Sequence, residues 1–161
     1  ILEGAVDVPA AARIALDRLE RNPRGYFLMI EWDAHTDRLP GGLDRLVNFD
    51  KLIREIAGRV DLKETLLLFT ADHSFSLSVY SGRRSEPLLK GLDEWKEKNA
   101  GQKTKFVELP NVRIYNTHTG EEVIATAIGP GAGRVRGFLP NTRLFGIMLE
   151  AWGWSPDPPG R

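Results

Sequence analysis

The chain has 161 residues, 42% of them hydrophobic, and its 22 basic and 22 acidic side chains cancel. That length supports one domain with one core, and a balanced charge supplies no field to attract nucleic acid or an anionic membrane. No apolar stretch reaches the roughly 18 residues that would mark a membrane-spanning helix, and without cysteine there are no disulfides and no thiolate metal sites. The start, Ile1-Leu2-Glu3-Gly4, has no initiator Met and no signal-like region. It reads as cut from something longer, with any export signal upstream.

Asp7 is placed to cap a first helix, with Pro9 in its first turn and Ala11, Ile14, Ala15, Leu16 and Leu19 at helical spacing. The turn residues Asn22-Pro23-Arg24-Gly25 stop it near Arg21. Tyr26 to Ile30 is a short apolar run of buried-strand length that ends at Glu31. A polar loop over Trp32 to Gly42 leads into a long amphipathic helix marked by Leu43, Leu46, Val47, Ile53, Ile56, Ala57 and Val60. Thr65 to Ala71 is a second strand-like run, ending at Asp72-His73. Strand, helix, strand predicts an α/β fold with a mostly parallel sheet and helices on both faces.

Residues 81–105 are polar and Gly-punctuated, with a helical patch at Leu92 and Trp95, and read as a surface insertion. Phe106 to Tyr115 and Val123 to Ile128 read as strands flanking a turn at His118-Thr119-Gly120. Gly129-Pro130-Gly131 ends the second, and Thr142 to Ala151 reads as a closing helix capped by Asn141. The Pro-rich end, Trp154 to Arg161, has no packing drive.

All three histidines keep acidic company. His35 lies between Asp33 and Asp37, with Glu31 nearby; Asp72 precedes His73; Glu121 and Glu122 follow His118. Imidazole with carboxylate is the set zinc accepts where Cys is absent. Each site taken singly also fits a plainer role: turn aspartates, a capping Asp72, a hairpin His118. Taken together they point to metal, because Glu31 and Asp72-His73 both end strand-like runs. In an open parallel sheet, ligands collect beyond the carboxyl ends of strands.

Three motifs in order resemble the C-terminal part of the alkaline phosphatase family. Tyr26-Phe27-Leu28-Met29-Ile30-Glu31 is similar to the family strand that ends in a magnesium-binding Glu. Thr70-Ala71-Asp72-His73-Ser74 is similar to the signature giving an Asp and a His to one zinc. Thr117-His118-Thr119-Gly120-Glu121-Glu122-Val123 is similar to the segment whose His binds the other zinc. The segment after Glu31 is shorter than in the best-known members, so Asp33 and His35 are assigned to that second zinc, with Asp37 as the competitor to Asp33.

The resemblance implies a three-layer fold, two zinc ions and one magnesium ion, and phosphate monoester hydrolysis through a phosphoserine. It also implies a periplasmic or secreted setting and a homodimer. Glu31, Asp33, His35, Asp72, His73 and His118 would be the metal ligands. The nucleophilic Ser, a bridging Asp and a phosphate-clamping Arg belong to the family's N-terminal half, so this chain alone is expected to be inactive. Ser74 is not read as the nucleophile, and Arg134 and Arg136 read as solvated. A phosphodiesterase or sulfatase with the same metal core, and a non-catalytic metal-binding fragment, are the competing readings.

Overall fold

A computed structural model describes residues 6–35 and 38–154. Helix α1 (Val8–Leu19) begins as its sequence predicts, with Asp7 accepting the Ala10 N–H at 3.0 Å and Pro9 in the first turn. Its Ala12 and Leu16 are buried against Leu52 and Ile56 of α2 (Gly41–Arg59). Ion pairs rim this helix pair: Arg13 grips Glu55 at 2.6 and 2.7 Å, and Arg59 reaches both Asp17 and Glu20. These pairs are exposed and fix register more than they add stability; burial of the apolar faces supplies that.

Tyr26 to Trp32 crosses the helix pair in extended form. Tyr26, Leu28, Ile30 and Trp32 pack onto its core, whereas Phe27 and Met29 are exposed. The two-residue alternation is that of a strand. Yet the run belongs to no ladder among the described residues, which corrects the expectation of a strand at Tyr26 to Ile30. A strand needs a hydrogen-bonding neighbour as well as a packing face, and a sequence run encodes only the face.

The second run does form a strand, β1 (Leu67–Thr70), but its partner is β5 (Ala125–Ile128), antiparallel, with Leu67 opposite Ile128. Gly129 makes this closure possible. Its φ is +103°, and a Cβ there would lie 2.1 Å from the Thr65 carbonyl oxygen. A second sheet has the order β2 (Ser78–Val79), β4 (Val112–Tyr115), β3 (Phe106–Glu108), again antiparallel. The fold is therefore mixed α/β, and every strand pair among the described residues is antiparallel rather than parallel.

Phe106 to Tyr115 is thus a hairpin and not one strand. Pro110 lacks an N–H to continue the ladder, and the chain turns there, with Leu109 N–H donating to Val112 O at 2.9 Å. The sheet shares a second core with Phe75, Leu92, Val107, Leu109, Val112 and Ile114. Leu92 begins α3 (Leu92–Lys98), so the segment read as a surface insertion also feeds this core through Leu89, Leu92 and Trp95. Helix α4 (Asn141–Ala151) closes the described chain and buries Ile147. Pro140 takes its cap position, and Asn141 is the first helical residue with no capping bond. Trp32 packs on the first core and Leu39 on the second.

Candidate metal centre

The three histidines come from three separate stretches and meet over Phe75 of the second core. Their ring nitrogens offer one donor each within 4.8 Å of one another. His73 and His118 stack at 3.8 Å between centroids with 18° between planes, and His35 stands 5.8 and 5.6 Å from them. Phe75, 7% exposed, forms the floor, with its ring 4.9 to 5.4 Å from all three imidazoles. Sequence reasoning missed Phe75; an aromatic two residues beyond His73 was the available signal.

His73 and His118 are locked together by backbone. Ser74 and Thr119 form a bridge, with N–H···O distances of 3.2 and 2.9 Å in the two directions. Tyr115 N–H donates to Phe75 O at 2.9 Å, which extends the pairing along the same edge. Glu121 lies beside this junction. Its carboxyl is held below the usual carboxylate range, first by its own backbone N–H and then by the Thr119 hydroxyl. A smaller burial effect opposes this, and the Ser74 hydroxyl and Ser76 N–H add to it. His73 Nδ1 lies 3.3 Å from the Ser74 carbonyl oxygen. That contact is a hydrogen bond when Nδ1 carries the proton, which leaves Nε2 as the lone-pair donor.

The carboxylates sit around this group rather than in it. Asp72 accepts the His73 N–H through Oδ1 at 3.0 Å, and its Oδ2 is 3.6 Å from His73 Nε2. Asp33 Oδ1 accepts the His35 N–H at 3.1 Å and lies 3.5 Å from His35 Nδ1, while Oδ2 takes Arg38 at 3.1 Å. Burial raises the Asp33 pKa. The His35 N–H outweighs that together with the charges of His35, Arg38 and Arg45, and the carboxyl ends below its ordinary value. Glu31 is exposed and joins no donor group among the described residues. Asp37, the competitor to Asp33, lies outside the described residues.

These donors fit a borderline divalent cation. Bonds of about 2.0–2.1 Å in a tetrahedron place ligand atoms about 3.3 Å apart. The Asp72–His73 and Asp33–His35 separations of 3.6 and 3.5 Å are already close to that spacing. Imidazole with carboxylate suits zinc better than magnesium, which prefers oxygen.

The profile described as Alkaline phosphatase matches residues 9–116, well over half of the chain. The chain belongs to the alkaline phosphatase family. It is 31% identical to streptomycin-6-phosphate phosphatase of Streptomyces griseus, over 93% of this chain and 36% of that protein. It is 28% identical to alkaline phosphatase 4 of Bacillus subtilis, over 84% of this chain and 41% of that one. With Escherichia coli K12 alkaline phosphatase the identity is 27%, over 91% of this chain and 32% of the enzyme. The chain therefore spans about a third to two fifths of the length of these curated relatives. No solved structure matches it. No helix among the described residues is long and apolar enough to cross a membrane.

Other candidates in the family motifs have structural roles. Ser74 Oγ accepts the Ser76 N–H at 3.2 Å and supports Glu121. Arg134 pairs with Glu150, which also takes Arg143 at 3.4 Å.

Proposed function

We propose that the protein is a metal-dependent phosphomonoesterase and that this chain supplies most of its metal ligands. The convergence of His35, His73 and His118 carries this reading, because three histidines from distant stretches bring a ring nitrogen each within 4.8 Å of one another. Two family relatives whose names specify a phosphatase support the reaction class.

Asp72 and His73 would hold one zinc, and Asp33, His35 and His118 the other. Glu31 is assigned to magnesium by resemblance. When bound, such ions lower the pKa of a hydroxyl or water and neutralise charge on the entering and leaving oxygens. The chain's own part is to fix donors. The 74–119 bridge sets the His73–His118 spacing, and the buried Phe75 backs the three rings. The serine that would form a phosphoserine, the bridging Asp and the phosphate-clamping Arg are assigned to the family's N-terminal half. The three-layer sheet, a homodimer and a periplasmic or secreted setting are likewise assigned to the whole protein.

The test uses the whole protein with an aryl phosphate, a phosphodiester and an aryl sulfate, together with metal analysis after dialysis. Zinc-dependent turnover of the monoester, two zinc ions and one magnesium per chain are expected. Preferred cleavage of the diester or sulfate would move the protein to those enzymes, and zinc binding without turnover would make it a binding module. Fewer than two tight transition-metal ions would sink the two-zinc assignment. The 161-residue chain alone should release no phosphate.

A further inference from the structure

We infer that Arg38 competes with the metal for Asp33 and so sets the affinity of the His35 side of the centre. The inference rests on the metal-centre reading above. Arg38 donates to Asp33 Oδ2 at 3.1 Å, on the carboxylate whose other oxygen faces His35 Nδ1 at 3.5 Å. Arg38 N–H also donates to His35 O at 3.2 Å, which ties Arg38 to the histidine beside Asp33. Ligation by Asp33 takes negative charge from a guanidinium already seated on it. Arg45 adds a second positive charge close enough to act on Asp33.

The consequence is a linked exchange. In the metal-free chain the Asp33 carboxylate is neutralised by Arg38, which prevents an unpaired acid beside the histidine group. On metal binding the guanidinium gives up all or part of that contact. Both groups are substantially exposed, with side-chain exposures of 59% and 48%, so the pair is weak and the exchange is small and reversible. An exposed pair of this kind changes an equilibrium by about two- to fivefold. Arg38 is therefore a tuning residue that lowers metal affinity, opposite in sign to a residue that merely supports the loop.

The experiment is a zinc titration of the 161-residue chain against a chromophoric chelator, with circular dichroism to check the fold. Arg38→Gln should raise zinc affinity about threefold. Arg38→Lys, which keeps the charge but not the fork, should stay nearer the parent chain. Asp33→Asn should lower affinity, and in that background Arg38→Gln should add nothing. Weaker or unchanged zinc binding in Arg38→Gln overturns the proposal, as does a gain that persists with Asp33→Asn. His118→Ala separates the two layers of the argument. If it loses zinc while Arg38→Gln gains none, the competition fails and the metal centre stands. If His118→Ala binds zinc like the parent, or if neither the parent nor Arg38→Gln binds it, the metal-centre reading fails and the competition with it.

Discussion

The two sides of the proposed metal centre are held in different ways. His73 and His118 ride on paired backbone: a two-way bridge at Ser74 and Thr119, and a further bond from Tyr115 to Phe75. Among the described residues His35 joins no such bridge; its N–H donates to Asp33, its carbonyl accepts from Arg38 N–H, and Asp33 in turn pairs with the exposed Arg38. The difference divides labour. A paired backbone sets two imidazoles side by side, and preorganisation of that kind lowers the ordering that binding requires. The side-chain pair on the His35 side is where affinity is tuned.

The largest effect that would sharpen this contrast is on the bridged side. In the whole protein, His118→Ala should lower monoester turnover by about a hundredfold or more, with partial recovery as zinc is added. Global stability without metal should barely change, since an exposed turn residue has little packing to lose. A rate at limiting zinc equal to that of the parent would refute the ligand role.

Next in size is Phe75→Ala, which removes the floor of the site and part of the second core. Truncating a buried Phe costs about 3–5 kcal/mol. Urea unfolding of the metal-free chain should show that loss, with zinc affinity falling alongside it. A loss of stability with unchanged zinc affinity would mean that the floor does not position the rings.

On the His35 side, Asp33→Asn should leave stability within about 0.5 kcal/mol, because the group is half exposed. Zinc affinity should nevertheless drop by about tenfold or more. Stability and metal binding falling together would show that the His35 loop is as firmly built as the bridge.

The smallest effect concerns Glu121. Its folded-state pKa lies below its ordinary value of 4.5, so its contribution is present above that value and is lost as pH falls through the lower folded value. Glu121→Gln should therefore lower the melting temperature slightly at neutral pH and flatten the decline on acidification below about 4.5. Melting curves of the two proteins that stay parallel across that window would remove the contribution assigned to Glu121.

Much of the helical part was legible because its information is local. Asp7, Pro9 and the apolar spacing mark α1 within a few residues of its ends, and the stripe from Leu43 to Val60 marks α2. Strand pairing is different. The run Tyr26 to Ile30 shows the right alternation and still pairs with nothing among the described residues, and β1 takes β5 rather than a parallel neighbour. The choice of partner lies in long-range contacts that no single run contains. The site shows the same divide. Its three histidines stood out by their acidic neighbours, but their meeting depends on the bridge between Ser74 and Thr119, and those residues carry no chemical signature of their own. Phe75 and Arg38 escaped notice for a like reason: each acts through what the fold brings beside it.

The assignment that carries the rest is that His35, His73 and His118 are all metal ligands, His73 on one zinc and His35 with His118 on the other. Cobalt titration of the parent chain and of the three single His→Ala variants, followed by visible absorption, tests it most directly. A ligand-field band is expected in the parent, with a loss of affinity of about tenfold or more in each variant. A variant that titrates like the parent, with the same band, would contradict the ligand role of that histidine and the division of the three between two ions.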